Sequence, residues 1–138
     1  MDNSIKIVKY VRKIVEASQD LMTIVPKSKI FGLAAHEGTT YPYITLSRSA
    51  INTTYNKDLN GDFGHTDIVQ VTADIHGKTY EESVDVANEF RNALEGKGYR
   101  TPDILIERFQ LVSAGETTDG MGDWAQILVF QTQTKSCN

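Results

Sequence analysis

Asp67-Ile68-Val69-Gln70-Val71-Thr72-Ala73-Asp74-Ile75-His76-Gly77-Lys78-Thr79-Tyr80-Glu81-Glu82 holds a strand, its stop and the start of a helix in one run. Val69, Val71, Ala73 and Ile75 alternate with Gln70, Thr72, Asp74 and His76, the period of an antiparallel strand with one dry face. Gly77 and Lys78 end it. Thr79 and Glu82 stand at capping-box spacing, each side chain satisfying a backbone N–H left free at a helix start. The helix that follows carries Tyr80, Val84, Ala87, Phe90, Arg91 and Leu94 on one stripe. Gly96 and Gly98 stop it, because glycine takes the left-handed cap conformation at little cost.

Upstream, Ile7, Val8, Val11, Ile14 and Val15 recur at helical spacing, with Lys6, Lys9, Lys13 and Glu16 on the other face and Asp2, Asn3 or Ser4 as caps. A shorter helical turn over residues 20–25 is closed by Pro26. Ser28 to Gly32 is a short extended piece. Tyr41-Pro42-Tyr43 introduces a strand to about Ala50, with Ile44, Leu46 and Arg48 opposite Tyr43, Thr45 and Ser47. Asn52 to Gly64 reads as a polar, turn-rich loop. Downstream, strands over Ile104–Ala114 and Trp124–Gln133 flank a loop from Gly115 to Gly122. The order α-β-β-β-α-β-β predicts an α+β fold: an antiparallel (mixed) β-sheet of about four strands packed with two main helices. It forms a single domain over residues 1–138, with 134–138 as a mobile tail.

Composition narrows the function classes. The chain has 138 residues, 40% of them hydrophobic and 23% charged, the balance of a globular protein rather than a disordered or membrane one. Fourteen Lys and Arg face 18 Asp and Glu, a formal charge of −4, which argues against a general nucleic-acid binder. Cys137 stands alone, so neither an intrachain disulfide nor a cysteine metal site is expected. No apolar run of signal-peptide or membrane-spanning length follows Met1, which predicts a protein made and used in a cytoplasm, without a membrane partner.

No catalytic constellation emerges. Asp58, Asn60 and Asp62 alternate as calcium-loop ligands do, but Phe63 and Val69 occupy the positions where such a loop needs Gly and a bidentate Glu. His36, His65 and His76 lack partners at zinc-ligand spacing and read as solvated. Asp74 and His76 share a strand face and are the one acid–base pair an enzyme would use. No serine sits in a nucleophile elbow, and the glycines from Gly115 to Gly122 lack the Lys and Ser/Thr of a phosphate loop. The expectation is a protein that is not an enzyme and has no cofactor and no metal.

The last strand carries an anomaly. Trp124, Gln126, Leu128 and Phe130 line one face, and Ala125, Ile127 and Val129 the other, so both faces are apolar at the middle. Helices on one side only would leave Trp124, Leu128 and Phe130 against water; burying each large side chain is worth about 1.5–3 kcal/mol, so such a stripe rarely stays bare. Either the first helix or the Leu21 turn wraps onto the second face, or a neighbouring subunit covers it.

The order of features resembles the tail completion proteins of long-tailed phages, also called tail terminators or tail-to-head joining proteins. The residues that carry the likeness are Leu21-Met22-Thr23-Ile24-Val25 and Lys29-Ile30-Phe31-Gly32 after an N-terminal helix, then Tyr41-Pro42-Tyr43-Ile44-Thr45-Leu46. Val69 to Gly77, the helix start Thr79-Tyr80-Glu81-Glu82-Ser83, and Ala87-Asn88 with Leu94 follow in the family's order. The resemblance covers about residues 5–133.

It implies a structural protein, placed in the virion and assembled in the host cytoplasm. The implied protein caps the head-proximal end of the tail tube as a hexameric ring and offers a surface to the head connector or stopper. Its partners are then further copies of itself, the tail tube protein and that connector. Six chains at −4 carry −24, so an acidic bore is expected to pass DNA without sequence-specific binding. The interface candidates lie in the two loops: Tyr55, Asp58, Asn60, Asp62, Phe63, Met121 and Trp124, with the aromatics and Met121 as anchors. Phe63 and Trp124 have a plainer role open to them, pinning their loops onto the domain. A head-side stopper or adaptor, and a ferredoxin-like regulatory domain that binds a small molecule, are the alternatives.

Overall fold

The structure, a computed structural model, describes residues 2–57 and 63–136. It has three α-helices, α1 (Ile7–Glu16), α2 (Gln19–Ile24) and α3 (Tyr80–Leu94). Seven strands form one mixed sheet: β1 (Ile30–Gly32), β2 (Tyr43–Lys57), β3 (Phe63–Gly77), β4 (Tyr99–Arg100), β5 (Ile104–Ile106), β6 (Gln110–Thr118) and β7 (Trp124–Ser136). The expected sheet of about four strands with two main helices is therefore too small. The α+β class stands, but α2 is a true helix, with the Ser18 hydroxyl accepting from the Leu21 amide at 3.3 Å. Downstream of α3 the chain makes four strands rather than two.

The sheet order is β1-β2-β3-β7-β5-β4, and β6 lies beside β7 along the same edge as β5. Every pairing is antiparallel except that of β1 with β2. In the centre, Val69, Val71, Ala73 and Ile75 of β3 lie opposite Thr132, Phe130, Leu128 and Gln126 of β7. These residues are buried beneath the helices, with Ile44 and Leu46 of β2 beside them. Ile7, Tyr10, Val11 and Val15 of α1, Leu21 of α2, and Val86, Ala87, Phe90, Ala93 and Leu94 of α3 complete a single core. Phe90 meets Phe130 with ring centroids 5.8 Å apart. All three helices thus pack on one face, the face of Leu128 and Phe130. The stripe the helices leave is Ile127 and Val129, half-buried among Thr72, Asp74 and their strand neighbours.

The α3 stripe runs through Ser83, Val86, Ala87, Phe90, Ala93 and Leu94, while Tyr80, Val84 and Arg91 point outward. The observed stripe is rotated from the expected one, which began from Tyr80; that residue is 42% exposed and lies over the margin of the sheet against Trp124. The capping box forms: the Thr79 hydroxyl accepts from the Glu82 amide at 3.1 Å, and the Glu82 carboxylate accepts from the Lys78 amide at 2.8 Å. Gly77 permits the tight approach of β3 to this helix, since a Cβ there would stand 2.6 Å from the Ser83 nitrogen.

Two β-bulges reset the alternation. Between Arg48 and Ala50 the register of β2 slips, so that Ile51, Thr53 and Tyr55 take the side that Ile44, Leu46 and Arg48 held before. Between Leu111 and Ser113 the same happens in β6, and Ala114 and Glu116 follow Leu111. Residues 52–57 are accordingly strand, not loop, and β3 begins at Phe63. Glu107 to Phe109 interrupt the expected strand over 104–114, and residues 115–118 extend β6 into the expected loop. At the far end β7 runs to Ser136 with Thr134 buried, so residues 134–136 belong to the sheet and not to a tail.

Buried polar groups are paired. Asp67 accepts from the Ser4 hydroxyl and, at 2.7 Å, from that of Thr53, tying the N-terminus to β2 and β3. Asp2 accepts from the Tyr10 hydroxyl and from Lys6 and Lys9. Those donors hold its carboxyl well below the usual range, while burial and the Asp2 carboxylate push Tyr10 up to about 12. A tyrosine raised on folding stabilises fully below its unfolded value near 10 and loses that contribution as pH climbs through the folded value. Wild-type stability therefore falls between about pH 10 and 12, and Tyr10→Phe flattens that fall in urea titrations; an unaltered pH profile contradicts the assignment. In the core, Phe90→Ala is expected to cost about 3–5 kcal/mol by chemical denaturation.

Candidate functional site

Away from the core the molecule presents two hairpins. The first is formed by the outer parts of β2 and β3, with Thr53 opposite Asp67, Thr54 opposite Thr66 and Tyr55 opposite His65. Asn52 to Tyr55 are exposed in succession, so side chains on both faces of the ribbon meet solvent. Tyr55 is 76% exposed, its ring tilted over His65 with centroids 6.1 Å apart. Asp58, Asn60 and Asp62 lie outside the described residues. Phe63 opens β3 opposite Lys57.

The second hairpin joins β6 and β7. Residues 112–122 are exposed throughout, and Met121 is 89% exposed at the tip. The turn is built by local bonds. The Asp119 carboxylate accepts from the Met121 amide at 2.7 Å and the Asp123 amide at 3.2 Å, while the Thr118 hydroxyl donates to the Asp123 carbonyl at 2.7 Å. Gly120 and Gly122 adopt φ of 74° and 99°, which side chains with a Cβ rarely take. Met121 is thereby held outward by hydrogen bonds within the turn itself.

A polar clamp ties the base of this hairpin to β2 and β3. Asp123 lies 3.0 Å from His76 Nδ1, and its carboxylate faces the Tyr41 hydroxyl. The Tyr43 ring stacks on His76 at 4.5 Å and 14°, and Tyr41 stacks on Tyr43 at 5.6 Å. Burial, followed by the Asp123 carboxylate, pushes the Tyr41 hydroxyl above its ordinary titration range. The partner of His76 is therefore Asp123 rather than Asp74, and its side chain is largely enclosed rather than solvated. Across the hairpin, Trp124 meets Tyr80 edge to face at 6.0 Å. Glu116 accepts from Gln126 at 2.9 Å, and with the Tyr80 hydroxyl this keeps its carboxyl below the usual value. Trp124 thus packs against the first turn of α3, while Met121 projects into solvent.

The sequence-level candidates do not converge on one spot. Tyr55 and Met121 belong to separate ribbons, and Trp124 faces its own domain. The reading missed Tyr41 and Asp123 as a clamp, since Asp123 is 47 residues from His76 and no local pattern links them. It also missed Ile5 and Leu33, which are 60% and 81% exposed; a large apolar residue amid polar neighbours was the signal available. Among the described residues no three His, Cys, Asp or Glu side chains stand together as a metal site would require. No helix among them is long and apolar enough to cross a membrane.

Replacing Asp123 by Asn tests the clamp. Tyr41 should titrate closer to the ordinary tyrosine value in absorbance titrations, and stability at neutral pH should drop by about 1.5–2 kcal/mol, as for loss of hydrogen bonds to a charged group. Unchanged titration and stability would show that Asp123 holds nothing.

Comparison with known proteins bears on the fold and the family. No curated protein matches the chain. Among solved structures, a chain from the virion of a native gene transfer agent particle shares the fold, with a TM-score of 0.68 over 91% of both chains at 13% identity. The family described as "Tail completion protein gp17" matches residues 9–132, nearly the whole domain. On that match the chain belongs to the tail completion protein gp17 family, structural proteins of the phage tail.

Proposed function

We propose that this protein caps the head-proximal end of a phage tail tube and forms the joint to the head connector, acting as a hexameric ring. The observation that carries the proposal is a pair of solvent-exposed sheet margins, the outer end of the β2–β3 hairpin with Tyr55 and the edge strand β6 with the turn that bears Met121. Residues 52–55 and 112–118 are exposed on both faces of the sheet, so their side chains gain little from burial in their own domain. The exposed aromatic and thioether groups are the kind of side chain that concentrates binding energy at interfaces. Family membership supplies the context of a finished tail.

In this account the core sets the position of the ribbons, and the ribbons meet neighbouring copies, the tube protein below and the connector above. The chain carries −4, so six copies carry −24, and a bore that shares this balance passes DNA without reading it. Assembly takes place in the host cytoplasm, and the finished product resides in the tail and neck of the virion.

Immunogold labelling of separately purified tails and heads tests the position. Label at one end of free tails is expected, and label confined to heads would assign the protein to a stopper or adaptor instead. Tyr55→Ala should change folding stability by no more than about 0.5 kcal/mol, as surface substitutions do, while lowering the yield of joined virions at least tenfold. Normal yields from that variant would remove the first ribbon from the joint.

A further inference from the structure

We infer that neighbouring copies are joined edge to edge, the β6 strand of one chain extending the sheet of the next along the free edge of β2. The inference rests on the ring proposed above and names the contact that closes it. The sheet has two unfilled edges of comparable length. On one side β1 covers only Ile44 to Leu46, leaving β2 open from Ser47 onward. On the other side β6 pairs with β7 alone, so its outer edge is open from Gln110 to Thr118. Unpaired N–H and C=O groups in a row are a template for another strand, and edges meant to stay single are blunted by proline or by inward charge. Neither edge has a proline; each carries one bulge, at Arg48/Ala50 in β2 and Leu111/Ser113 in β6, which leaves residues 51–57 and 113–118 as the regular stretches open to pairing, with Lys57 and Glu116 their charged residues.

Direction and symmetry agree. β2, β3, β7 and β6 alternate in direction across the sheet. Repeating the subunit by rotation therefore sets β6 of one copy antiparallel to β2 of the next, the more stable pairing. The two edges differ, so the contact is heterologous and propagates head to tail, as a closed ring requires. Because β1 occupies the start of β2, the incoming β6 must engage β2 beyond Leu46, displaced along the strand. Closing a sheet upon itself demands such a stagger.

The side chains supply a second, independent feature. Beside the open edge of β2 lies a groove of about 340 Å³ lined by Ile5, Val8, Gly32, Leu33, Leu46 and Arg48, with Ile5 and Leu33 exposed. An antiparallel β6 runs toward the start of β2, which brings the hairpin tip, and with it Met121, to this groove. A flexible thioether suits an irregular apolar slot.

Electron cryo-microscopy of isolated tails, together with light scattering of Met121→Asp, tests the inference. A ring whose sheet runs unbroken from β6 of one copy into β2 of the next is expected. Met121→Asp should keep wild-type thermal stability and lose at least tenfold in self-association. A ring joined through other surfaces, or through a tube or connector strand on either edge, overturns the edge pairing and leaves the proposed function standing, as does a Met121→Asp variant that assembles normally. Absence of any ring overturns both.

Discussion

The pairing of β3 with β7 is the constraint on which the rest of the molecule depends. It fixes which side chains meet α1, α2 and α3: Val69, Val71, Ala73 and Ile75 against Thr132, Phe130, Leu128 and Gln126. Because strand side chains alternate, a slip of one residue would turn Phe130 and Leu128 away from Phe90 and leave the helices without a floor. The same pairing brings Gly77 opposite Trp124 and so sets the base of the second hairpin beside the end of β3. His76 then reaches Asp123, and Tyr41 and Tyr43 stack behind it. The clamp is a consequence of the central register.

Much of this was legible because core and alternation coincide in β3 and β7. The strand from Asp67, the stop at Gly77 and the cap at Thr79 carry local signals that the tertiary structure does not overrule. The residues of each β7 face were grouped correctly, yet the face expected to be left bare, that of Trp124, Leu128 and Phe130, is the one the helices cover. That outcome depends on α3 packing over Phe130, a contact between residues far apart in sequence. The outer halves of β2 and β6 were lost to the bulges at Arg48/Ala50 and Leu111/Ser113, where alternation changes phase. Beyond each bulge the ribbon is exposed on both faces, so Asn52, Thr53 and Thr54, or Glu116 and Thr117, show no hydrophobic period to find.

The candidate site follows the same division. Met121 was visible as a lone apolar residue in a glycine-rich turn, and Tyr55 as an aromatic in a polar stretch. Trp124 drew attention by its size alone, and its contact with Tyr80 gives it a place within the domain. The contrast between a buried centre that defines the fold and exposed margins, strand β6 with its turn and the outer end of β2, suits a subunit whose partners come later. Ordering such ribbons at an interface costs conformational entropy, which the new strand pairing and apolar contacts must exceed.

Native-state hydrogen exchange on the free chain measures that contrast most directly. The account predicts that amides of 69–75 and 126–132 exchange only through global unfolding, while those of 52–57 and 112–122 exchange through local opening at a far smaller free energy. Equal protection in the ribbons and the centre would mean that the hairpins belong to the cooperative core, and would contradict the claim that they are held ready for other molecules.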